Sequence, residues 1–276
     1  MRADRSGSSG PAVLPVRLFL GWLLIALAAA CTPLSQQLDE AAARSGLQPV
    51  VLPGSDYPLY SYQRRQRGHH ALVIIEGDGR PWRAGGRVVA PDPTQASPQA
   101  LHWLGHTTGP ALYLGRPCYG NPQTPGCEPM LWTYSRYSTV VVDNMALGLT
   151  HWLQENPEIE SITLAGYSGG GVLALLLGER DLPIRRVIAL SSPVDIHRWA
   201  DHHGYGRLFD SLNPAAIHSW RNDRERHLYF GARDRRVPPA LFADAVERIP
   251  GAQLHIIEEQ GHQCCAPAIW LPHPAP

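Results

Sequence analysis

Residues 161–178 read SITLAGYSGGGVLALLLG, so a serine stands among glycines between a β-rich run and a leucine-rich run. Glycine is a poor choice inside a strand or a helix, because it loses the most backbone entropy on folding and packs no side chain. Glycines clustered at a strand-to-helix junction therefore predict a turn that is too tight for Cβ atoms. We expect this turn to present the side chain of Ser168.

The rest of the chain alternates between runs of strand type and of helix type. Residues 70–77, HALVIIEG, are nearly all apolar and end in glycine, which is typical of a strand buried on both faces. Residues 137–157 have apolar positions at helical spacing and end at Asn-Pro. Further strands are predicted in LYSYQR, TGPALYLGRP, ESITLAG, IRRVIALSSP, HLYFG and QLHIIEE, and further helices in GGGVLALLLGER and PPALFADAVERIP. This order predicts an α/β fold with a mostly parallel central sheet and helices on both faces.

The N-terminus is predicted to be an export signal. Three arginines precede the apolar run LFLGWLLIALAAA, which is shorter than the ~20 residues that a membrane-spanning helix needs. The sequence AAAC resembles a bacterial lipobox, which implies a signal peptide over residues 1–30 and a lipid on Cys31. An ordinary signal peptide or an uncleaved anchor is the alternative. Residues 31–54 are expected to form a tether to the cell envelope with a possible short helix in QQLDEAAARSG, and Thr32 in place of an aspartate favours the outer membrane.

Charge excludes several kinds of partner and chemistry. The formal net charge is zero, so no global field attracts nucleic acid. All 24 cationic residues are arginine, which excludes Schiff-base chemistry and a P-loop lysine.

A base and an acid follow the serine in the order that a Ser-His-Asp arrangement needs. Asp234 comes just after the predicted strand HLYFG, and His262 comes just after QLHIIEE. The carboxyl ends of parallel strands meet at one edge of a sheet, so these residues are expected to lie near Ser168. His262 is the candidate base and Asp234 the group that orients it. Asp195, which follows the strand before the last two, is an alternative acid.

Three motifs in this order, GYSGG, GARDRRVP and EQGHQ, resemble those of the α/β-hydrolase superfamily across residues 59–269. The resemblance implies an oxyanion hole made of the backbone N–H groups of Gly169 and Asp78, with Gly77 the nearest rival of Asp78. Glu76 stands where the family's loop has histidine. The Asp78 carboxylate is expected to turn away from the hole or to pair with Arg80 or Arg83.

Cysteine usage agrees with export. Cys118 and Cys127 bracket a Pro/Gly/Asn loop, and we predict a disulfide between them. Cys264 and Cys265 are adjacent and could form a vicinal disulfide, stay free or pair elsewhere. A zinc site is the competing interpretation of these cysteines, but the chain has no CxxC pair. The adjacent histidines 69–70 and 202–203 are expected to be surface residues rather than ligands, so no metal or cofactor is predicted.

The sequence predicts an exported serine hydrolase that cleaves a carboxylic ester or a related acyl bond of a small acyl substrate. The catalytic domain would span residues 55–276, with a small cap at about 194–226. Trp82, Trp103 and Trp132 could line an acyl pocket or simply pack. An acyltransferase or a thioesterase would use the same three residues. A non-catalytic binding or assembly protein of the envelope is the alternative from another class.

Overall fold

The computed structural model describes residues 33–271. The predicted signal peptide and the predicted lipid attachment at Cys31 lie outside the described residues. Within 33–271, no helix has both the length and the hydropathy to cross a bilayer.

A single large sheet organises the described part of the chain. Its order is β1-β2-β6-β3-β7-β8-β9-β10, antiparallel at β1/β2 and β2/β6 and parallel at every other pairing. A small ribbon pairs β4 with β5. The strands are β1 Gln48–Leu52, β2 Leu59–Arg64, β3 His70–Ile75, β4 Trp82–Arg83, β5 Val88–Val89, β6 Ala111–Tyr113, β7 Ser161–Tyr167, β8 Ile184–Leu190, β9 Glu225–Gly231 and β10 Ala252–Ile257.

Helices cover both faces of this sheet, and the predicted α/β class is confirmed. They are α1 Leu34–Arg44, α2 Gln99–Gly105, α3 Thr139–Glu155, α4 Gly169–Leu177, α5 Ile196–His203, α6 Ala243–Glu247 and α7 Pro267–Trp270. Helix α3 begins where the Ser138 hydroxyl accepts from the Val141 N–H. It ends at Glu155, with Asn156 as its C-cap, before a proline that cannot continue it.

The core lies in two layers, one on each face of the sheet. Helices α3 to α6 cover one face, and α1, α2 and α7 contribute to the other. Along β3 the side chains alternate between them: Val73 and Ile75 pack on the first face, while Leu72 and Ile74 pack on the second. Each such side chain contributes roughly 1.5–3 kcal/mol of hydrophobic stabilisation. The prediction of a strand buried on both faces is therefore confirmed.

Residues 34–52 belong to the folded domain, so the expectation of a tether over 31–54 is wrong for them, although the possible short helix is present as α1. Leu38 and Ala42 of α1 are buried, and β1 pairs with β2 from Gln48↔Gln63 to Leu52↔Leu59. Strand β1 was not predicted, because Pro49 interrupts its run of strand-forming residues. An edge strand such as β1 tolerates a proline.

Two other segments differ from expectation. Helix α2 was not predicted from the sequence, and it forms because Leu101 and Leu104 are buried against the sheet. The connection from β8 to β9 spans residues 191–224 and contains α5. Strand β9 begins at Glu225, so Glu225 and Arg226 belong to the sheet rather than to the predicted cap.

Candidate active site

Ser168 occupies the turn between strand β7 and helix α4. Its backbone has φ 51° and ψ −119°, a conformation that costs about 1–3 kcal/mol for a residue with a Cβ. The Ser168 N–H donates to the carbonyl of Leu190 on β8 at 2.8 Å, and the Ser168 carbonyl accepts from the Gly171 N–H at 3.0 Å. These bonds hold the serine at the carboxyl ends of the central strands.

Two of the neighbouring glycines are required because other backbone comes too close for a side chain. A Cβ on Gly166 would lie 2.1 Å from the carbonyl oxygen of Gly170. A Cβ on Gly170 would lie 2.3 Å from the carbonyl oxygen of Ile75. The prediction of a turn too tight for Cβ atoms is confirmed at these two positions.

The structure brings Ser168, His262 and Asp234 together in one chain of hydrogen bonds. His262 Nε2 lies 3.1 Å from Ser168 Oγ, and His262 Nδ1 lies 2.8 Å from Asp234 Oδ2. A carboxylate only accepts, so Nδ1 carries the proton and Nε2 is left to accept from the serine hydroxyl. Asp234 is buried, and its Oδ1 accepts from the N–H groups of Arg236 and Val237 at 2.8 and 2.9 Å.

Asp195, the alternative acid, has a different place in the structure. Its Oδ1 accepts from the N–H groups of His197 and Arg198, at 3.1 Å each, and from the Asn213 amide at 2.9 Å. It therefore caps the N-terminus of α5. The structure places Asp234, not Asp195, against His262.

Glu76 engages the first N–H of the loop after β3. Its Oε1 accepts from the Gly77 N–H at 2.9 Å, and its Oε2 accepts from the Ala100 N–H at 2.8 Å. Burial raises the pKa of this carboxyl against the opposing effect of those two hydrogen bonds. The Gly77 N–H is therefore already engaged within the loop. Within residues 33–271, the N–H groups of Asp78 and Gly169 have no hydrogen-bond partner.

The Asp78 carboxylate is held by residues other than the expected ones. Its Oδ1 accepts from Arg116 at 2.8 Å, and its Oδ2 accepts from Arg136 at 2.9 Å and from the Tyr137 hydroxyl at 2.7 Å. Burial alone would raise the pKa of Asp78, but Arg136 and Arg116 outweigh it and hold this pKa below its ordinary value.

The expectation that Arg80 or Arg83 pairs with Asp78 is therefore wrong. The actual partners follow β6 and stand 38, 58 and 59 positions further along the chain. No local pattern could have identified them, because only the parallel pairing of β3 with β6 brings the two loops together.

The four cysteines of the described domain are paired. Cys118 and Cys127 form a disulfide with their Cα atoms 5.6 Å apart. Cys264 and Cys265 form a vicinal disulfide and are both buried. The Trp270 indole donates to the Cys265 carbonyl at 3.0 Å.

The remaining candidates have ordinary structural partners. His70 contacts the hydroxyls of Ser161 and Thr163 at 2.8 and 2.9 Å, and His203 contacts the Arg236 carbonyl at 2.8 Å. In the described part of the chain, no group of three or more His, Cys, Asp or Glu residues is arranged to hold a metal ion.

The three tryptophans differ in their distance from the site. Trp103 is buried edge-on against Tyr167, whose ring lies 5.4 Å from that of His262. Trp132 is buried and donates to the Ala90 carbonyl. Trp82 is half-buried and lies edge-on to the ring of Tyr134.

Comparison with protein families gives no match, and comparison with curated proteins gives none either. Solved structures do resemble this chain. An esterase from Pyrococcus furiosus is similar at a TM-score of 0.59 and 16% identity, over 79% of this chain and 83% of the other. A membrane phospholipase A, described as a bacterial virulence factor, is similar at 0.53 and 14%, over 90% and 92%. A puromycin hydrolase is similar at 0.53 and 14%, over 78% of this chain and 36% of its own.

At 14–16% identity these likenesses define the fold and nothing finer. The sheet order and the helices on both faces make it the α/β-hydrolase fold.

Proposed function

We propose that the protein is a serine hydrolase that cleaves a carboxylic ester or a related acyl bond of a small acyl substrate. The observation that carries this proposal is the hydrogen-bonded chain from Ser168 Oγ through His262 to buried Asp234, with the serine held in a strained turn. Strain at a presented side chain is typical of a functional site rather than of packing.

In the first half of the reaction, Ser168 Oγ attacks the acyl carbon while His262 Nε2 takes the hydroxyl proton. Asp234 holds the imidazole in the required tautomer and stabilises its protonated form. The carbonyl oxygen becomes an oxyanion, which the N–H groups of Asp78 and Gly169 would bind. The intermediate collapses with loss of the alcohol, which takes the proton from His262 and leaves the acyl group on Ser168.

In the second half, water attacks the acyl-enzyme. His262 accepts a proton from this water, and the same two N–H groups would bind the second oxyanion. Collapse returns the proton to Ser168 Oγ and releases the carboxylic acid. No cofactor is needed, because every proton and electron pair is accounted for by substrate, water and these residues.

The names of the similar solved structures support acyl chemistry but do not select the bond. The three names, esterase, phospholipase A and puromycin hydrolase, refer to different substrates. An ester is the bond we propose. A thioesterase or an acyltransferase would use the same atoms and differ only in the leaving group or in the nucleophile that replaces water.

We also propose that the enzyme acts in the cell envelope. The apolar run before AAAC would direct export, and a lipid on Cys31 would hold the domain at a membrane, with the outer membrane favoured. The disulfide between Cys118 and Cys127 suits an oxidising compartment.

The test is covalent labelling with a fluorophosphonate probe, using protein that lacks the leader. We expect wild type to be labelled, and Ser168→Ala and His262→Ala to be unlabelled, because the probe requires an activated serine. Labelled wild type should also hydrolyse p-nitrophenyl acetate. Folded wild type that resists the probe would instead support the non-catalytic envelope protein.

A further inference from the structure

The peptide that carries the Asp78 N–H is held at its other end by a buried cation. Arg116 Nη1 lies 3.2 Å from the Gly77 carbonyl oxygen and 2.8 Å from Asp78 Oδ1. The Gly77 carbonyl and the Asp78 N–H belong to one trans peptide, in which the two groups point in opposite directions. An arginine that binds the carbonyl therefore turns the N–H away from itself and polarises the peptide as a donor.

Three further contacts fix the same residue. Arg136 and the Tyr137 hydroxyl bind Asp78 Oδ2, and the Tyr119 hydroxyl donates to the Asp78 carbonyl at 3.0 Å. Arg116 Nη2 also donates to the Arg136 carbonyl at 3.2 Å, so the two arginines are joined to each other. The Asp78 side chain and the carbonyls on both sides of its N–H are thus all engaged.

This arrangement also touches the residue that supplies the second N–H. A Cβ on Gly169 would lie 2.1 Å from Asp78 Oδ1 and 2.5 Å from the Tyr137 hydroxyl. The carboxylate and its partners are therefore packed against the start of α4, directly after Ser168.

Stability alone is a weak reason for such a cluster. Arg116 and Arg136 are 3% and 7% exposed, and burying ion pairs is often no better than packing apolar side chains of the same size. The gain is a fixed backbone geometry, which an oxyanion donor needs before the charge develops.

We infer that Arg116 and Arg136, with Tyr119 and Tyr137, are positioning residues that hold the Asp78 N–H in place as an oxyanion donor. This inference rests on the proposed acyl-transfer function. The Asp78 carboxylate then takes no part in the reaction itself. Its hydrogen bonds to the two arginines and to Tyr137 fix the position of the loop after β3.

The test compares three arginine variants of the full chain, purified in detergent. Arg116→Met removes the guanidinium, Arg116→Lys retains a cation that reaches one or two of its partners, and Arg226→Met is the matched control. Arg226 is 1% exposed and pairs with Glu179 at 2.6 Å, near the opposite end of the parallel strands. Each variant is assayed for kcat and KM on p-nitrophenyl acetate and for binding of an aryl trifluoromethyl ketone, whose adduct with Ser168 carries an oxyanion.

We expect Arg116→Met to lower kcat by about 10²-fold with KM little changed, the size of effect seen when one oxyanion donor is lost. Affinity for the trifluoromethyl ketone should fall by a comparable factor. Arg116→Lys should recover part of both losses, and Arg226→Met should lose stability but keep kcat. The low-field proton resonance of the His262–Asp234 hydrogen bond should be the same in all four proteins.

If Arg116→Met keeps kcat as Arg226→Met does, or loses kcat without losing ketone affinity, the inference is overturned. Tyr137→Phe and Tyr119→Phe remove one hydroxyl each and serve if Arg116→Met does not fold. Each should lower kcat several-fold and ketone affinity in parallel, and unchanged values in both would also refute the inference. A wild type that neither hydrolyses the ester nor binds the ketone would refute the proposed function itself.

Discussion

Ser168 shows how one strained residue is held in place. Its backbone conformation costs about 1–3 kcal/mol, and the hydrogen bonds to Leu190 and from Gly171 contribute about 1 kcal/mol each in return. Gly166 and Gly170 approach each other so closely that the turn has no room for a side chain at Gly166. A surface serine without a function would not require a strained backbone conformation.

The acid of the site can be tested at the same scale. Asp234→Asn should lower kcat by about 10⁴-fold, because an amide no longer holds His262 in the required tautomer. Asp195→Asn is the matched control and should keep near-wild-type activity, because asparagine caps a helix as well as aspartate does. Steady-state kinetics on p-nitrophenyl acetate measures both. The reverse pattern would make Asp195 the acid.

The loop that follows β6 is the element that shapes the site. Cys118 and Cys127 close it, and Arg116, Tyr119 and Arg136 reach from it to the loop after β3. Its last turn also contacts the connection from β8 to β9. The Ser211 hydroxyl donates to the Tyr134 carbonyl at 2.7 Å, and the Leu212 N–H donates to the Tyr137 carbonyl at 3.0 Å. The two connections therefore share one surface.

An apolar surface lies where these two connections meet. Phe209 is 72% exposed and stacks on Tyr134 with ring centres 5.2 Å apart, and Trp82 of β4 contacts the same tyrosine edge-on. The Tyr137 hydroxyl lies beside Gly169, and the Tyr137 carbonyl accepts from the Leu212 N–H of the connection from β8 to β9. We therefore expect the apolar part of the acyl substrate to lie on this surface.

Phe209→Ser should weaken selection for longer acyl chains. The ratio of kcat/KM for a p-nitrophenyl octanoate to that for the acetate should fall about tenfold, as if roughly two methylene groups were no longer buried. Val51→Ser is the control, since Val51 is 56% exposed on strand β1 at the far edge of the sheet. A ratio that falls equally in both variants, or in neither, would place the acyl chain elsewhere.

At the scale of the whole molecule, partly desolvated histidines link stability to pH. Partial desolvation lowers the pKa of His70, His227 and His255 below their ordinary value of 6.5. Arg185 and Arg186 add to the effect on the pKa at His70, and Arg186 adds to it at His227. His227 Nδ1 and His255 Nε2 lie 3.2 Å apart, so both rings cannot be charged without repulsion.

The sign of the pH dependence follows from these lowered pKa values. As pH falls through 6.5, the unfolded chain binds protons that the folded chain does not, so the free energy of unfolding decreases until the folded pKa values are reached. Urea unfolding from about pH 7.5 to about pH 5 should show this loss. The double variant His227→Gln/His255→Gln should have a flatter curve, and the exposed His218→Gln is the control. An equally steep curve for the double variant would exclude this histidine pair as the source.

The sequence by itself determined the features that depend on short-range patterns. Alternating apolar runs specified the strands and helices, clustered glycines specified the turn at Ser168, and Asp234 and His262 stand where two predicted strands end. Strand ends converge in a parallel sheet whatever the loops do, so a local pattern was enough to place these residues at one edge.

Tertiary structure alone decided which side chains support the loop after β3. Arg116, Arg136 and Tyr137 reach Asp78 only because β6 inserts beside β3, and nothing in their own neighbourhoods marks them for that role. The same holds for β1 and α2, whose formation depends on a partner strand and on the buried face of the sheet. Hydrogen bonds and burial between distant segments are properties of the folded chain, because the energies that select them arise only when those segments meet.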